Sequence, residues 1–492
     1  MMKRSLLVTS ALVSLTLSSC VGEGGGEPGA IPVATTISQA DKEQGAKAHP
    51  ELLKEFGGTY SGPQAAYVTS VGRKIAVQSS LSNAQGDFTI SLLNSPINNA
   101  FAIPGGYVYI TRQLMALCND EAEMAGVLGH EVGHVAAQHS QRRQKAATRN
   151  AIGGALLQIL TGAVLGNSGL GSVLQQGIGT GTQLLTLKFS RSQEYEADDL
   201  GIRYLGSASY DTAALSTMLA SLAAQSALDA RVVGQSNSVP EWASTHPDPA
   251  SRVTRALTNA RASGSTGTIR NRDAFLRALD GVTYDDDPKQ GVVRGSQFIH
   301  PGLRISFTSP SGYAMVNGTQ AVTITGSGGQ AQFSGGPYSG DLGGYVTSVF
   351  QALAKDSNIS VPPPQRTTIN GIPAAYSTAR ANTQSGQVDV TVLAYETGPS
   401  QAFHFLMLAP AGQGVGPFNG MVQSFKRISA QEAAVIKPRK IQVVTVKSGD
   451  TIASLSAKMA YDSYKQERFL TLNALNSGTS PTAGQKVKLV TY

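Results

Sequence analysis

The sequence predicts an α+β chain of several domains, mainly helical in its first half and β-rich in its second. Three observations carry this. Segments with helical apolar spacing recur through residues 37–282 and are interrupted by a few short alternating runs. Beyond about residue 288 the pattern changes to strand-length alternating or apolar pieces separated by Gly, Ser and Pro. Finally, 492 residues exceed what one hydrophobic core accommodates, so two to four domains are expected.

Residues 1–20 read as a targeting segment and leave the fold argument. Lys3 and Arg4 form a basic start, and residues 6–17 form an apolar run too short to span a bilayer comfortably. The following Leu17-Ser18-Ser19-Cys20 resembles the lipobox of bacterial lipoproteins, which implies cleavage before Cys20 and lipidation of that residue. An ordinary secretory signal with an incidental cysteine is the alternative. Several acyl chains, each buried CH₂ contributing ~0.8 kcal/mol, would anchor the chain to a membrane. By resemblance to Gram-negative lipoproteins, Val21 in place of aspartate implies the outer membrane, on its periplasmic side. With Cys20 lipidated only Cys118 remains, so no intramolecular disulfide is possible, and Cys118 reads as a small buried residue.

Residues 21–36, rich in Gly, Pro and small residues, read as a flexible tether. A first domain is expected over 37–282, with helices at 38–56 and 64–79 and strands at 88–93 and 107–110. Asp120 is placed to cap a helix over 124–143, with Glu123 as its capping-box partner. Residues 151–187 carry no charge, but glycines interrupt them, and two short buried or interfacial helices near the site are expected rather than a span. Helices follow at 191–205 and 212–229. Asp248 and Pro249 suit the start of another. Asp285-Asp286-Asp287-Pro288 reads as a boundary to a β-rich α+β domain of unassigned role over 283–430, with strands at 321–325, 387–395 and 401–408 and a helix at 342–355.

The chemistry gathers at His130-Glu131-Val132-Gly133-His134. On a helix the two histidines are about 400° apart, so their imidazoles share a face within ~40°, and Glu131 lies about 100° round from His130. Two neutral imidazoles bind Zn²⁺ well, and a carboxylate alongside can act as a base. A catalytic zinc site needs a third protein ligand. Glu194 is the best candidate, with Asp198 one turn later on the same face, but Glu196 and Asp199 lie there too, and spacing alone leaves a solvated acidic face open. His139 should point to the opposite side of the motif helix and read as structural or exposed. His49, His300 and His404 have no metal-like neighbours, and His404, between Phe403 and Phe405, should face outward from a strand.

Taken in order, the motif, Glu194-x-x-Ala197-Asp198, the stretch 99–106, Ser190-Arg191-Ser192, and His246-Pro247 with Arg252 resemble zinc metallopeptidases of the CAAX-prenyl-protease and HtpX type, in particular their exported, periplasmic BepA-like branch. The resemblance implies a mainly helical, gluzincin-like zincin fold with a small sheet. It implies one Zn²⁺ per chain held by His130, His134 and Glu194, with Glu131 as general base and Asp198 orienting a ligand. His246 and Arg252 would lie near the metal as catalytic residues, His246 stabilising an oxyanion together with Arg252, or His246 occupying the open metal position. Asn99, Ala100 and Phe101 would lie on a strand that pairs with substrate backbone. The expected activity is hydrolysis of peptide bonds in misfolded or misassembled envelope proteins. A non-proteolytic periplasmic chaperone or assembly factor docked to the cell wall is the alternative, and a peptidoglycan hydrolase a weaker third reading.

The formal net charge is +7, and from Lys437 onward nine basic residues face three acidic ones, so the excess belongs to the tail. For an exported chain this excludes nucleic acid in favour of anionic envelope polymers or lipid headgroups. Val446-Lys447-Ser448-Gly449-Asp450-Thr451-Ile452, Asn473-Ala474-Leu475-Asn476 and Gly484-Gln485-Lys486-Val487 resemble a LysM module over 431–492, which implies a small βααβ fold and peptidoglycan as the partner of 437–492. The interval from Asp450 to Asn473 is a few residues long for that family, and no tryptophan follows Thr451.

Overall fold

The computed structural model describes residues 33–81, 84–143, 189–233, 246, 249–353, 360–383, 386–478 and 480–492. The targeting segment with Cys20, most of the tether, the charge-free stretch 151–187 and Asp248 lie outside the described residues. Among the described residues no helix is long and apolar enough to cross a membrane.

The first helix, Gln39–Glu55, starts where Ser38 accepts a hydrogen bond from the Asp41 backbone N–H. Its Leu52, with Phe56 at its C-cap, packs against Leu93, Phe101, Ile103 and Tyr109. The helix Pro63–Ala76 buries Val68, Val71 and Ile75. Beside these lie the strands β1 (Thr89–Leu93), β2 (Ala100–Ile103) and β3 (Tyr107–Thr111) in the order β1-β3-β2. β1 runs parallel to β3 and β2 antiparallel to it, so β2 is an edge strand. The turn joining β2 to β3 needs Gly105 and Gly106, whose φ of 91° and 83° disfavours side chains with a Cβ.

The motif helix runs Glu121–Ala136, capped by Asp120, whose carboxylate accepts from the Glu123 N–H. It differs from expectation at both ends. It begins three residues before residue 124, and the Glu123 carboxylate accepts from the Asn119 N–H rather than closing a capping box on Asp120. It stops at Ala136, well short of Arg143, because Gln138 adopts a left-handed φ of 53°. All but Val135 of its sixteen residues are buried, which its apolar, glycine-rich composition permits.

Across it lies the helix Arg191–Ser207, opened by a capping box between Ser190 and Gln193. The two axes approach closely. A Cβ on Gly201 would stand 3.1 Å from the His130 backbone nitrogen, and one on Gly133 would stand 3.1 Å from Leu200 Cβ and 3.2 Å from the Ala197 carbonyl. Helices Ala214–Val233, Pro249–Ala262 and Arg272–Leu279 complete this region.

Farther along, a seven-stranded antiparallel sheet includes Ala321–Gly326, Gly329–Pro337, Gly386–Gly398 and Gln401–Pro410. One face buries Phe333 and Phe405 against Phe298, Phe307 and Phe425 from outside the sheet. Helix Leu342–Leu353 covers the other through Val346 and Phe350. His404 lies on the covered face and not in solvent: its Nδ1 is 2.9 Å from the Tyr345 hydroxyl and its Nε2 3.2 Å from Ser334 Oγ.

The tail forms Arg439–Thr445, Ile452–Ser456, Lys465–Leu472 and Lys486–Thr491, a strand–helix–helix–strand order. Its two strands pair antiparallel, and Thr283–Tyr284 adds a third at the edge. Asp285 fastens the junction by accepting from Arg439 and from the Tyr461 hydroxyl. Lys488 is fully buried, and its ammonium donates to the carbonyls of Ala116, Leu117 and Cys118 just ahead of the motif helix. Cys118 is itself free and buried. Lys488→Met fills the space but takes this donor from the carbonyls of Ala116 and Cys118, while Leu117 keeps the Asn119 amide. It should lower stability by about 1–3 kcal/mol, read from the urea unfolding midpoint.

Candidate metal centre

The motif helix presents His130 and His134 from successive turns on one face, as the four-residue spacing requires. Their Nε2 atoms are 3.0 Å apart. From the crossing helix Glu194 brings Oε2 to 3.6 Å from His130 Nε2 and Oε1 to 3.5 Å from His134 Nε2. His246, just ahead of the helix Pro249–Ala262, places Nδ1 3.3 Å from His130 Nε2 and 3.1 Å from Glu194 Oε1. One donor atom from each of the four lies within 4.8 Å of the others, and this is the only such group found among the described residues.

Three imidazoles and one carboxylate make a donor set suited to Zn²⁺. The charge states suit it as well. Burial holds the His134 imidazole well below its ordinary pKa, in the neutral form that ligates metal. Burial alone would raise Glu194, but His246, the hydrogen bond to His134 and Arg252 outweigh it and hold the carboxyl well below the usual range. Glu131, fully buried, is pushed upward by burial, with His246 and His130 offsetting this only in part. Neither of its carboxylate oxygens has a hydrogen-bond partner among the described residues, and His246 Nε2 stands 3.5 Å from Oε1. A buried carboxylate without a donor is costly. A polar group held on the metal side would remove that cost, so the residues present fit the ion.

Asp198 lies where Glu194 leads one turn on, its Oδ1 3.0 Å from His130 Nδ1. Arg252 donates from Nε to Asp198 at 2.8 Å, from Nη2 to Asp198 at 2.6 Å and from Nη1 to Glu194 at 2.5 Å. Its guanidinium therefore joins the candidate ligand carboxylate to the orienting one. Burial raises the Asp198 carboxyl, but Arg252 and His130 overcome it and bring the group below its ordinary value.

Of the residues tied to the edge strand, Asn99, just before it, accepts from the Thr111 backbone N–H and donates its own N–H to Thr111 Oγ1, and Ala100 pairs with Ile110. Phe101 turns its ring inward, stacked on Tyr109 at 4.7 Å and tilted against Phe56 at 4.9 Å. The strand packs beside the motif helix with Ala102 half-exposed.

Two features are not visible in the spacing. Phe189, a few residues before Glu194, stacks on His134 at 3.9 Å between centroids. His139 is fully buried against His134, contrary to its expected place across the helix, because the chain turns at Gln138 before reaching it. No periodicity rule finds a contact that depends on a helix ending.

A His-Glu-x-x-His helix crossed by a second helix that supplies a glutamate makes a candidate metal centre. Residues 63–260 match the model of peptidase family M48. Among similar proteins is the beta-barrel assembly-enhancing protease of Yersinia pestis, 27% identical over 305 residues that make up 57% of this chain and 59% of that protein. Its namesake in Escherichia coli O157:H7 is 31% identical over 213 residues, 43% of this chain and 42% of that one. The mitochondrial metalloendopeptidase OMA1 of Schizosaccharomyces pombe is 30% identical over 217 residues, 43% of this chain and 59% of the relative. The matches thus span about two to three fifths of these relatives' lengths.

Removing Arg252 leaves Glu194 and Asp198 buried without their cation. Arg252→Met should destabilise the metal-free chain by about 3–5 kcal/mol in chemical denaturation, with zinc restoring part of the loss.

Proposed function

We propose that the chain is a zinc-dependent endopeptidase that hydrolyses peptide bonds of misfolded or misassembled envelope proteins. The observation that carries this reading is the buried donor set of His130, His134 and Glu194 with the Glu131 carboxylate beside it. The bacterial relatives' name, beta-barrel assembly-enhancing protease, supports a proteolytic role tied to β-barrel assembly. In this reading Cys20 is lipidated, and the chain works on the periplasmic side of the outer membrane. Residues 437–492 form a LysM-like module that holds it to peptidoglycan.

Zinc, when bound, polarises a scissile carbonyl and lowers the pKa of a water to about 7. Glu131 takes the proton from that water on a carboxylate oxygen and passes it to the leaving amine nitrogen. Its raised pKa suits both transfers. The free edge of β2 aligns an extended substrate backbone over the motif helix as an added strand. Arg252 holds Glu194 and Asp198 in place.

His246 Nδ1 lies among the donor atoms, which supports a resting state in which it takes the fourth position. Burial opposes protonation of His246, but Glu194 and Glu131 outweigh it and raise the imidazole pKa. The non-proteolytic alternative, an assembly factor docked to the cell wall, keeps the same fold and differs only in what happens at Glu131.

Glu131→Gln should retain zinc and lower cleavage of unfolded casein by at least about 100-fold. Unchanged cleavage removes Glu131 from the mechanism, and no cleavage by the zinc-loaded wild type favours the assembly factor. His246→Ala should keep zinc and raise basal cleavage. A fall of tenfold or more would instead assign His246 to oxyanion stabilisation.

A further inference from the structure

Each motif histidine uses one ring nitrogen inside the donor cluster and turns the other outward. For His130 the outer atom, Nδ1, meets a carboxylate directly at Asp198, which Arg252 holds. For His134 the outer atom meets another imidazole: His139 Nδ1 lies 2.8 Å away. His139 Nε2 then lies 3.0 Å from Glu196 Oε2, and Glu196 accepts from both terminal nitrogens of Arg142 at 2.5 and 3.2 Å. The two ligands thus have parallel supports, imidazole–carboxylate–guanidinium on one side and imidazole–imidazole–carboxylate–guanidinium on the other.

The second support needs the helix to end where it does. In an uninterrupted helix, residue 139 would sit five positions and about 500° from His134, roughly 140° away around the axis. The left-handed Gln138 interrupts the helix, and His139 stands against His134 instead. His139 is fully buried, and its backbone carbonyl accepts from Gln193 Nε2 at 3.2 Å, two residues after the crossing helix begins. The ring is therefore fixed from the motif helix and from the helix that bears Glu194.

Hydrogen bonding settles the tautomers. If His134 gives its Nε2 lone pair to a metal, its proton is on Nδ1 and must be donated. His139 Nδ1 can accept it only with its own proton on Nε2, which then donates to Glu196. Each atom in the chain has one role, and the order runs from the metal to a carboxylate a quarter exposed to solvent.

We propose that His139 is a positioning residue for the metal centre, fixing the tautomer of His134 and relaying to it the negative charge of Glu196. Such outer partners typically contribute 10–100-fold to metal affinity. The inference rests on the zinc reading above, and it is tested by zinc binding and not by turnover.

The experiment is a chelator competition for zinc on the full chain. His139→Phe keeps an aromatic ring but offers no acceptor, and zinc affinity should fall 10–100-fold. His139→Gln offers a carbonyl to His134 and an amide N–H to Glu196, and it should recover most of the loss. A merely space-filling role predicts the opposite order. Glu196→Gln changes one partly exposed group, leaves the packing intact and should weaken zinc severalfold, which decides the matter if His139→Phe does not fold. Equal affinity in wild type and Glu196→Gln, or zinc binding by His139→Gln no tighter than by His139→Phe, overturns the proposal. A wild-type chain that binds no zinc overturns the zinc reading instead.

Discussion

Everything at the centre depends on how near the motif helix and the helix at 191–207 can come. Side chains of ordinary size along that seam would separate the axes and carry Glu194 away from the imidazoles. Gly133 and Gly201 remove the obstruction, each standing where a Cβ would press on backbone or Cβ atoms of the other helix. The glycine inside the pentapeptide therefore serves the donor set without touching it. With the seam closed, one helix supplies two imidazoles and the other supplies Glu194, Asp198 and Glu196 from adjacent turns.

Closeness creates an electrostatic problem. Glu131, Glu194 and Asp198 are buried together, none more than 1% exposed, and unpaired charge in such a place costs several kcal/mol. Arg252 answers for two of them, and the imidazoles share the rest. Glu131 has no hydrogen bond of its own among the described residues, so the group given the proton-transfer role is also the least satisfied. A divalent cation among the donors would complete the balance. The centre therefore trades stability in its metal-free form for affinity when loaded.

Much of this was legible in the sequence. Periodicity placed the helices at 39–55, 63–76 and 191–207 and the strand at 89–93 within a few residues, because each has a clear cap or alternation. The four-residue spacings of His130 with His134, and of Glu194 with Asp198, survive as shared faces. What escaped were outcomes of tertiary structure. Nothing in the letters around Gln138 announces a left-handed residue, so His139 was placed across a helix that has already ended. His404 alternates as an outward strand residue should, but a helix from another part of the chain covers that face. Lys488 reads as one more basic residue of a basic tail until its carbonyl partners are found far upstream.

Those partners have a bearing on the order of synthesis. The carbonyl of Ala116 precedes Lys488 by 372 positions, so a chain made from its N-terminus carries the whole peptidase region long before this ammonium exists. Until then the end of the short helix Arg112–Leu117, and with it the approach to the motif helix, lacks its final donor. Contacts so distant in sequence form late and slowly. A chain of this kind withholds the last element of its peptidase region until the tail strand has been made, and any event that removes that strand undoes the completion.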